Sequence, residues 1–204
     1  MRSFSHWTPR YLADRFKLAL YETTHRGSPW LTKDMVEILA KRLRPDNAGL
    51  EWGAGRSTIW FARRVGRLVS IEHDESWHQQ VSHNIMKNGL LNVDCFLCKD
   101  ENEYAKGRDV PPESLDFILI DGIARDQCAV TAISLLKPGG MLIVDNSNWY
   151  LPGMSRAPHS RRPPQGAASQ TWELFLREVK GWHSIWTTNG VWDTTLWIKP
   201  YAGS

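Results

Sequence analysis

Apolar positions along the chain change repeatedly between two spacings. Stretches with an apolar residue every three or four positions, as in an amphipathic helix, alternate with short continuous apolar runs typical of buried strands. The predicted helices are 9–22, 32–43, 57–65, 75–88, 125–136 and 170–182, and the predicted strands are 50–52, 67–74, 92–98, 115–121 and 141–146. Helices and apolar strands alternate from residue 32 to residue 146, which indicates a parallel sheet covered on both faces.

The C-terminal part of the chain has a different pattern. Residues 148–169 are rich in Pro, Gly, Ser and Arg and predict a long loop, a feature that is often functional in compact domains. Because the loop offers little apolar surface for burial, we expect it to be held weakly and to act as a lid. Residues 183–200 predict two strands about a turn at Asn189-Gly190, which is an antiparallel hairpin.

Composition and charge narrow the class of protein. The chain has 204 residues, 42% of them hydrophobic and 23% charged, as in one soluble globular domain. No apolar run approaches the roughly 18 residues of a membrane span, and the first 16 residues lack the apolar core of a secretory signal. We therefore expect a cytoplasmic protein without a membrane partner. A net charge of +3 does not by itself indicate nucleic-acid binding.

A glycine pair follows the first strand of the alternating region, in the stretch LEWGAGRST. Gly53 and Gly55 are typical of a nucleotide-binding turn, but a dinucleotide-binding turn would have a third glycine where this chain has Thr58. Glu51 immediately before the turn would repel a pyrophosphate. These two departures disfavour a nicotinamide dehydrogenase and favour a ligand with a positively charged end.

A second acidic residue follows at a distance that suits a ribose. Glu72 closes the second strand of this region, 19 residues after Gly53. An acidic side chain at that place accepts hydrogen bonds from ribose hydroxyls in doubly wound folds. S-adenosylmethionine combines a ribose with a cationic end that carries an ammonium and a sulfonium, so it fits both acidic positions.

Four segments in this order resemble the motifs of class I S-adenosylmethionine-dependent methyltransferases. LEWGAG is similar to the first motif, SIEHD to the second, LDFILIDG to the fourth, and LLKPGGMLIVDN to the turn and strand that follow. The resemblance covers residues 28–146. It implies an α/β fold with a doubly wound, seven-stranded, mostly parallel sheet whose last two strands are antiparallel, which agrees with the predicted hairpin.

The resemblance also implies how a single domain over residues 1–204 is divided. N-terminal helices in residues 1–45 would cover the site, and residues 46–146 would form the cofactor-binding core. Residues 147–169 would form the lid loop, and residues 170–200 the C-terminal helix and hairpin.

Roles at the glycine turn are implied by the same resemblance. Gly53 and Gly55 would let the backbone approach the amino-acid part and the ribose of the cofactor. Glu51 would lie by the methionine ammonium, directly or through water. Thr58 either bonds the cofactor carboxylate or caps the helix that follows, and the sequence leaves both roles open.

The remaining cofactor-binding candidates follow the later strands. Glu72 would hold the ribose diol, and His73 beside it would touch the adenine. Asp100 falls where the family often has an acidic residue near the adenine amino group. Asp121 ends the fourth strand and would face the methyl-donor side of the cofactor.

Three oxygen-bearing residues suggest a metal ion. Metal-dependent O-methyltransferases of the catechol type hold Mg²⁺ with an aspartate after the fourth strand and an Asp-Asn pair after the fifth, and Asp121, Asp145 and Asn146 match this set. The alternative is that Asp145 and Asn146 only orient the following loop. The catalytic candidates are Asp121, Asp145 and His25, the last as a base from the region before the first motif.

The function predicted from these residues is methyl transfer from S-adenosylmethionine to a small-molecule acceptor, at oxygen. One alternative is a methyltransferase that acts on protein or nucleic acid, which weak basicity and the lack of an appended recognition domain disfavour. Another is a catalytically silent protein that binds the cofactor. The oligomeric state stays open, with a homodimer as one possibility.

Overall fold

The computed structural model describes residues 7–201; residues 1–6 and 202–204, and with them both ends of the predicted domain, lie outside the described residues. The helices are α1 (Pro9–Thr24), α2 (Lys33–Arg42), α3 (Arg56–Ala62), α4 (Glu75–Lys87), α5 (Glu101–Ala105), α6 (Arg125–Leu135), α7 (Ser147–Tyr150) and α8 (Gln170–Glu178). The strands are β1 (Ala48–Trp52), β2 (Arg67–Glu72), β3 (Val93–Leu97), β4 (Leu115–Ile120), β5 (Leu136–Asp145), β6 (His183–Thr188) and β7 (Asp193–Ile198).

The strands form one seven-stranded sheet in the order β3-β2-β1-β4-β5-β7-β6. Strands β1 to β5 pair in parallel, whereas β7 is inserted between β5 and β6 and is antiparallel to both. The strand order reverses between β1 and β4, and ligands of open α/β sheets bind at such a point. The predicted α/β fold class and the C-terminal hairpin are confirmed.

Apolar side chains cover both faces of the sheet. Along β4, Phe117 and Leu119 pack on the side of α2 and α3, while Ile118 and Ile120 pack on the side of α6 and α8. The alternation follows from the two-residue period of a strand. A central parallel strand is buried on both faces, which explains why its sequence is a continuous apolar run.

One segment differs from the element predicted for it. Residues 137–140 (KPGG) predict a turn, but the structure includes them in β5, where the register with β4 shifts between Leu115 and Phe117. Gly139, at a φ of 80°, supplies the backbone freedom for this irregularity. The polar segment after β3 contains the short helix α5.

Helix α1 has the predicted helical period but leaves much of its apolar face open. Leu12, Phe16 and Leu20 are 48%, 72% and 57% exposed. Within residues 7–201, the structure contains no helix with both the length and the apolar character needed to cross a membrane.

The segment that was predicted to be a weakly held lid is anchored at several points. Leu151, Ser155 and Ala157 are buried. Asn148 is buried as well, and its Oδ1 accepts a hydrogen bond from the Asp193 backbone N–H at 3.0 Å. The Asn148 amide also donates to the 158–160 turn. The segment is therefore held more firmly than its composition predicts.

Replacing Asn148 by alanine tests this anchoring. Asn148→Ala leaves the buried Asp193 N–H without its acceptor, so we expect the free energy of unfolding to fall by about 1–3 kcal/mol. The matched control is Asn102→Ala on exposed α5, which should change it by less than about 0.5 kcal/mol. Equal stability of the two variants in urea would show that the segment is not anchored through Asn148.

Candidate functional site

The carboxyl ends of β1, β2 and β4 surround a cavity of about 570 Å³, within the range of ligand pockets. The side chains and turns that line it come from the glycine turn, the end of β2, the end of β4 and the loop before α2. They are Trp30, Gly53, Ala54, Gly55, Arg56, Ser57, Glu72, His73, Asp74, Ser76, Trp77, Asp121, Gly122 and Ile123. The structure thus brings together Gly53, Gly55, Glu72, His73 and Asp121 from the predicted set.

The two glycines of the turn are constrained differently. Gly53 has a φ of 96°, and a Cβ on it would lie 2.7 Å from the Gly122 nitrogen and 2.8 Å from the Asp121 carbonyl carbon. The turn after β1 therefore packs directly on the turn after β4, and a larger residue does not fit. A Cβ on Gly55 would have Trp77 Nε1 at 3.9 Å as its nearest neighbour. The protein's own packing leaves room at Gly55, as is needed where a ligand approaches the backbone.

Glu72 is 3% exposed, and backbone groups fix its carboxylate. Oε1 accepts hydrogen bonds from the backbone N–H groups of His73 and Asp74, both at 2.8 Å, and Oε2 accepts one from Ala54 at 3.0 Å. The His73 ring contributes Nδ1 at 2.9 Å from Oε1. A carboxylate oxygen accepts two hydrogen bonds, so Oε2 retains capacity for a ligand hydroxyl.

Glu51 is fully buried behind the glycine turn and does not line the cavity. Its Oε1 accepts hydrogen bonds from the hydroxyls of Thr58 and Ser70. Its Oε2 has no partner among the described residues. Burial raises the pKa of Glu51 from 4.5 to about 7, although the hydrogen bonds from these hydroxyls act in the opposite direction. A buried carboxylate of this kind gains a large electrostatic benefit when a cation comes close.

The Thr58 hydroxyl is used inside the protein. It donates to Glu51 and accepts from the Gly55 backbone N–H at 2.9 Å. Thr58 is buried and does not line the cavity. Of the two roles that the sequence leaves open, the geometry favours capping of α3 over contact with a cofactor carboxylate.

Two candidate residues lie outside this cavity. The Asp100 carboxylate caps α5, where Oδ1 accepts from the backbone N–H groups of Asn102 and Glu103, each at 3.0 Å. His25 ends α1, stacks on Tyr21 with ring centroids 4.3 Å apart, and lines a separate cavity with Arg63. The hypothesis that His25 is the base is not supported, because the structure does not bring it to the end of β4.

Arg125, which the sequence analysis did not single out, connects the ends of β4 and β5. Its Nε donates to the Gly122 carbonyl at 2.8 Å, and Nη2 donates to the carbonyl and to Oδ1 of Asp121 at 2.8 and 2.9 Å. Its Nη1 donates to the Asp145 carbonyl at 2.7 Å and to Asn146 Oδ1 at 3.1 Å. The sequence contained one indication of this role: Arg125 is the first residue of α6 and follows Asp121 by four residues.

Asp145 is also committed to internal contacts. Its Oδ1 accepts a hydrogen bond from the Thr194 hydroxyl at 2.6 Å. Burial raises the pKa of Asp145 well above its ordinary value, and the nearby Asp121 charge adds to this effect. Burial also raises the pKa of Asp121, against the lowering effect of Arg125. The two aspartates do not form an open pair of ligands.

The residues predicted to bind Mg²⁺ do not fit a metal ion. Asp121 Oδ1 and Asn146 Oδ1 already accept hydrogen bonds from the Arg125 guanidinium, and the Asp145 carboxylate bonds to Thr194. A positive guanidinium at these oxygens opposes a second cation. No metal-binding group of three or more His, Cys, Asp or Glu occurs among residues 7–201.

The fold has many counterparts among solved structures, whereas no protein-family model and no curated protein matches the chain. A proposed caffeoyl-CoA O-methyltransferase from Staphylococcus aureus has a TM-score of 0.65 at 18% identity, with 92% of this chain and 99% of the other covered. A proposed O-methyltransferase from Klebsiella pneumoniae has 0.61 at 21% identity, with 95% and 91% covered. A SAM-dependent methyltransferase from Aquifex aeolicus has 0.57 at 15% identity, with 91% and 97% covered.

These similarities define the class of fold. The chain has the class I S-adenosylmethionine-dependent methyltransferase fold, as the motif resemblance predicts. The glycine turn and Glu72 occupy the carboxyl edge of its sheet.

The two glycines allow packing and ligand binding to be tested separately. Gly53 has a positive φ, and Gly53→Ala places a Cβ against the backbone of the turn after β4. We therefore expect the free energy of unfolding to fall by about 1–3 kcal/mol. Gly55→Ala should fold with wild-type stability but bind S-adenosylmethionine more weakly, because its Cβ occupies space that faces the cavity. Thermal melts and calorimetry measure the two effects, and wild-type affinity in Gly55→Ala would contradict the assignment.

Proposed function

We propose that the protein transfers a methyl group from S-adenosylmethionine to a small-molecule acceptor, at oxygen. The observation that carries this proposal is the cradle at the cavity, where a tightly packed Gly53 turn faces a backbone-fixed Glu72 carboxylate. Around it, the carboxylates of Glu72, Asp74 and Asp121 outnumber the Arg56 cation. A cofactor with a ribose and a cationic end matches both features.

The proposed position of the cofactor follows from the unused hydrogen-bond acceptor and the open space in the cavity wall. Oε2 of Glu72 accepts a ribose hydroxyl, and the Gly55 backbone lies against the amino-acid part. His73, half exposed at the rim, contacts the adenine. The cofactor ammonium lies on the cavity side of the glycine turn, where its charge favours the ionised form of Glu51, whose Oε2 is buried behind the turn without a partner among the described residues.

Asp121 is the candidate catalytic carboxylate nearest to the proposed methyl position. It lines the cavity, whereas the Asp145 carboxylate is buried against Thr194. A carboxylate whose pKa is raised by burial is a stronger base than one in water. We assign to Asp121 the removal of the acceptor proton, and to the cavity the alignment of acceptor oxygen and donated methyl.

A second cavity, of about 270 Å³, offers a place for the acceptor. Its wall is largely apolar and includes Leu151, Leu176, Trp186 and Trp197. It lies between residues 147–161 and the hairpin, and β7 is two places from β4 in the sheet, a separation of about 10 Å at the usual strand spacing. The loop thus supplies a fixed part of the wall of the proposed acceptor site.

Asp193, one of the residues that line this second cavity, suggests the chemistry of the acceptor. Asp193 is 1% exposed; its Oδ2 accepts a hydrogen bond from Trp186 Nε1 at 2.9 Å, and its Oδ1 has no partner among the described residues. A hydroxyl group on an apolar body would satisfy Oδ1. This favours an aromatic or aliphatic alcohol over a protein or nucleic-acid substrate.

The acidic cradle also bears on the other candidates. A dinucleotide would bring a pyrophosphate close to the Glu72 and Asp121 carboxylates that line the cavity, where repulsion opposes it. A silent cofactor-binding protein would share the cradle but would have no use for the second cavity. Blocking that cavity therefore distinguishes an enzyme from a silent binder.

The affinity for S-adenosylmethionine should depend on the ionisation of Glu51. A cationic ligand favours the ionised form, so affinity should rise from about pH 5 to about pH 7 and then level off. Glu51→Gln should remove this rise. Adenosine, which lacks the ammonium and the sulfonium, is the control ligand. Calorimetry that finds no Glu51-dependent rise would contradict the proposed ammonium position.

The raised pKa of Glu51 should also affect the stability of the protein without ligand. The pKa of Glu51 in the folded protein is higher than in the unfolded chain, so its contribution to stability is fully present below pH 4.5 and is lost as pH rises to about 7. Without ligand, Glu51→Gln should therefore flatten the pH dependence of the melting temperature over this range. Loss of stability in Glu51→Gln at pH 8 would indicate that the carboxylate is needed ionised.

Filling the second cavity tests the acceptor site. Gly153 lines this cavity with open space at its Cβ, and Gly27, which lines the His25 cavity, has the same open space. Gly153→Trp should reduce methyl transfer to hydroxylated acceptors at least about tenfold by excluding them, with unchanged affinity for S-adenosylmethionine. Gly27→Trp should leave both unchanged. Equal effects of the two substitutions, or none, would refute this acceptor site.

A further inference from the structure

We infer that Arg125 is a built-in cation that takes the place of a metal ion, holding the oxygen atoms at the ends of β4 and β5. The observation is that every oxygen it contacts belongs to the two strand ends from which catechol-type enzymes bind their metal. Three of these oxygens belong to the backbone, and the others are side-chain atoms of Asp121 and Asn146.

The hydrogen-bond count of this group is complete. A guanidinium has five N–H donors, and the contacts of Arg125 use five acceptors at 2.7–3.1 Å. Its side chain is only 13% exposed. Arg125 therefore has no donor left for a substrate, and its role is to position other groups rather than to act as a catalytic residue.

Arg125 also places a positive charge beside Asp121 and Asp145. Asp121 and Asp145 approach each other closely enough to raise the pKa of Asp145, and Arg125 lowers the pKa of both. A divalent ion would neutralise such a pair through direct ligation in a nearly octahedral shell. Here Arg125 pairs through directed hydrogen bonds with the Asp121 carboxylate alone and bonds only the carbonyl of Asp145, whose carboxylate accepts the Thr194 hydroxyl of β7.

Arg125 further connects the strand ends to the loop. Its guanidinium carbon lies 5.6 Å from the centroid of the Tyr150 ring, and Tyr150 stacks on Trp172 of α8 at 5.4 Å. Arg125 thus contacts both the strand ends beside the cofactor cavity and, through Tyr150, the loop that borders the second cavity.

The saturated Arg125 guanidinium also bears on the choice of acceptor, an expectation that rests on the proposed function. A metal ion would bind two neighbouring acceptor oxygens, as in a catechol, whereas a saturated guanidinium offers no such site. We expect acceptors with a single hydroxyl to serve as well as vicinal diols.

Mn²⁺ is the probe for the experiment, because its paramagnetic resonance reports binding without any need for turnover. The proteins are the wild type, Asn146→Ala, Arg125→Ala, Arg125→Lys and the double variant Arg125→Ala/Asn146→Ala. Affinity for S-adenosylhomocysteine and melting temperature are measured on the same samples. These readouts are independent of methyl transfer, so the inference and the proposed function fail separately.

The wild type should bind no Mn²⁺ at this place. Arg125→Ala should lose thermal stability and bind S-adenosylhomocysteine at least about tenfold more weakly. It should also gain a Mn²⁺ site that the double variant lacks, with partial recovery of both properties on addition of Mn²⁺. Arg125→Lys, which retains the charge with fewer donors, should lie between the two and bind no Mn²⁺.

Three results would overturn the inference. One is Mn²⁺ binding by the wild type that Asn146→Ala abolishes, since Arg125 would then yield to a metal. Another is wild-type stability and affinity in Arg125→Ala, and the third is a folded Arg125→Ala that binds no Mn²⁺. If Arg125→Ala does not fold, Arg125→Lys decides: Mn²⁺ binding or unchanged stability in it refutes the inference, and reduced stability without Mn²⁺ binding supports it.

Discussion

Negative charge at one edge of the sheet is the constraint on which the rest of the site depends. Parallel strands end on the same side, so Glu51, Glu72, Asp121 and Asp145 converge at the carboxyl ends of β1, β2, β4 and β5. The fold accommodates them in three different ways. Backbone N–H groups hold Glu72, burial favours the protonated form of Glu51 and Asp145, and an ion pair holds Asp121.

These arrangements prepare different responses to a ligand. Glu72 is already fixed, so it can orient a hydroxyl without paying further ordering entropy. Glu51 has an unpaired oxygen and a pKa of about 7, so a nearby cation changes its charge state. A neutral or anionic ligand would gain nothing from this second group. In the proposed function, selectivity for a cationic cofactor would therefore depend on the unpaired Oε2 of Glu51 as well as on the bonded carboxylate of Glu72.

Much of the fold could be predicted from sequence, because apolar periodicity reports burial directly. The continuous run in β4 and the alternation of helices and strands required no knowledge of distant contacts. Gly53 and Glu72 were found because local spacing defines a turn and a strand end. The irregularity at Gly139 was missed, because the turn chemistry of KPGG is the same whether the chain leaves the sheet or bulges within it.

The partners of side chains were harder to predict. Thr58, Asp100 and Asn146 each carry an oxygen that suits a ligand, yet each is bonded by the chain itself. Asp121, Asp145 and Asn146 match a metal-binding set in residue type and order, but their bonds to Arg125 and Thr194 do not fit a metal ion. The match did not reveal Arg125, because the contacts of that residue depend on the direction in which α6 leaves β4.

In the proposed function, the positions of the two cavities separate recognition of the cofactor from recognition of the acceptor. The cofactor cradle is built from β1, β2 and β4, whose turns are short and tightly packed, as at Gly53 against Gly122. The second cavity is built from the hairpin, α8 and the loop after β5. Loops tolerate changes in sequence and length better than packed turns do. Within one fold, the wall of the second cavity can therefore vary while the cradle is retained. Arg125 and Tyr150 lie between the two cavities and hold them in a fixed relative position.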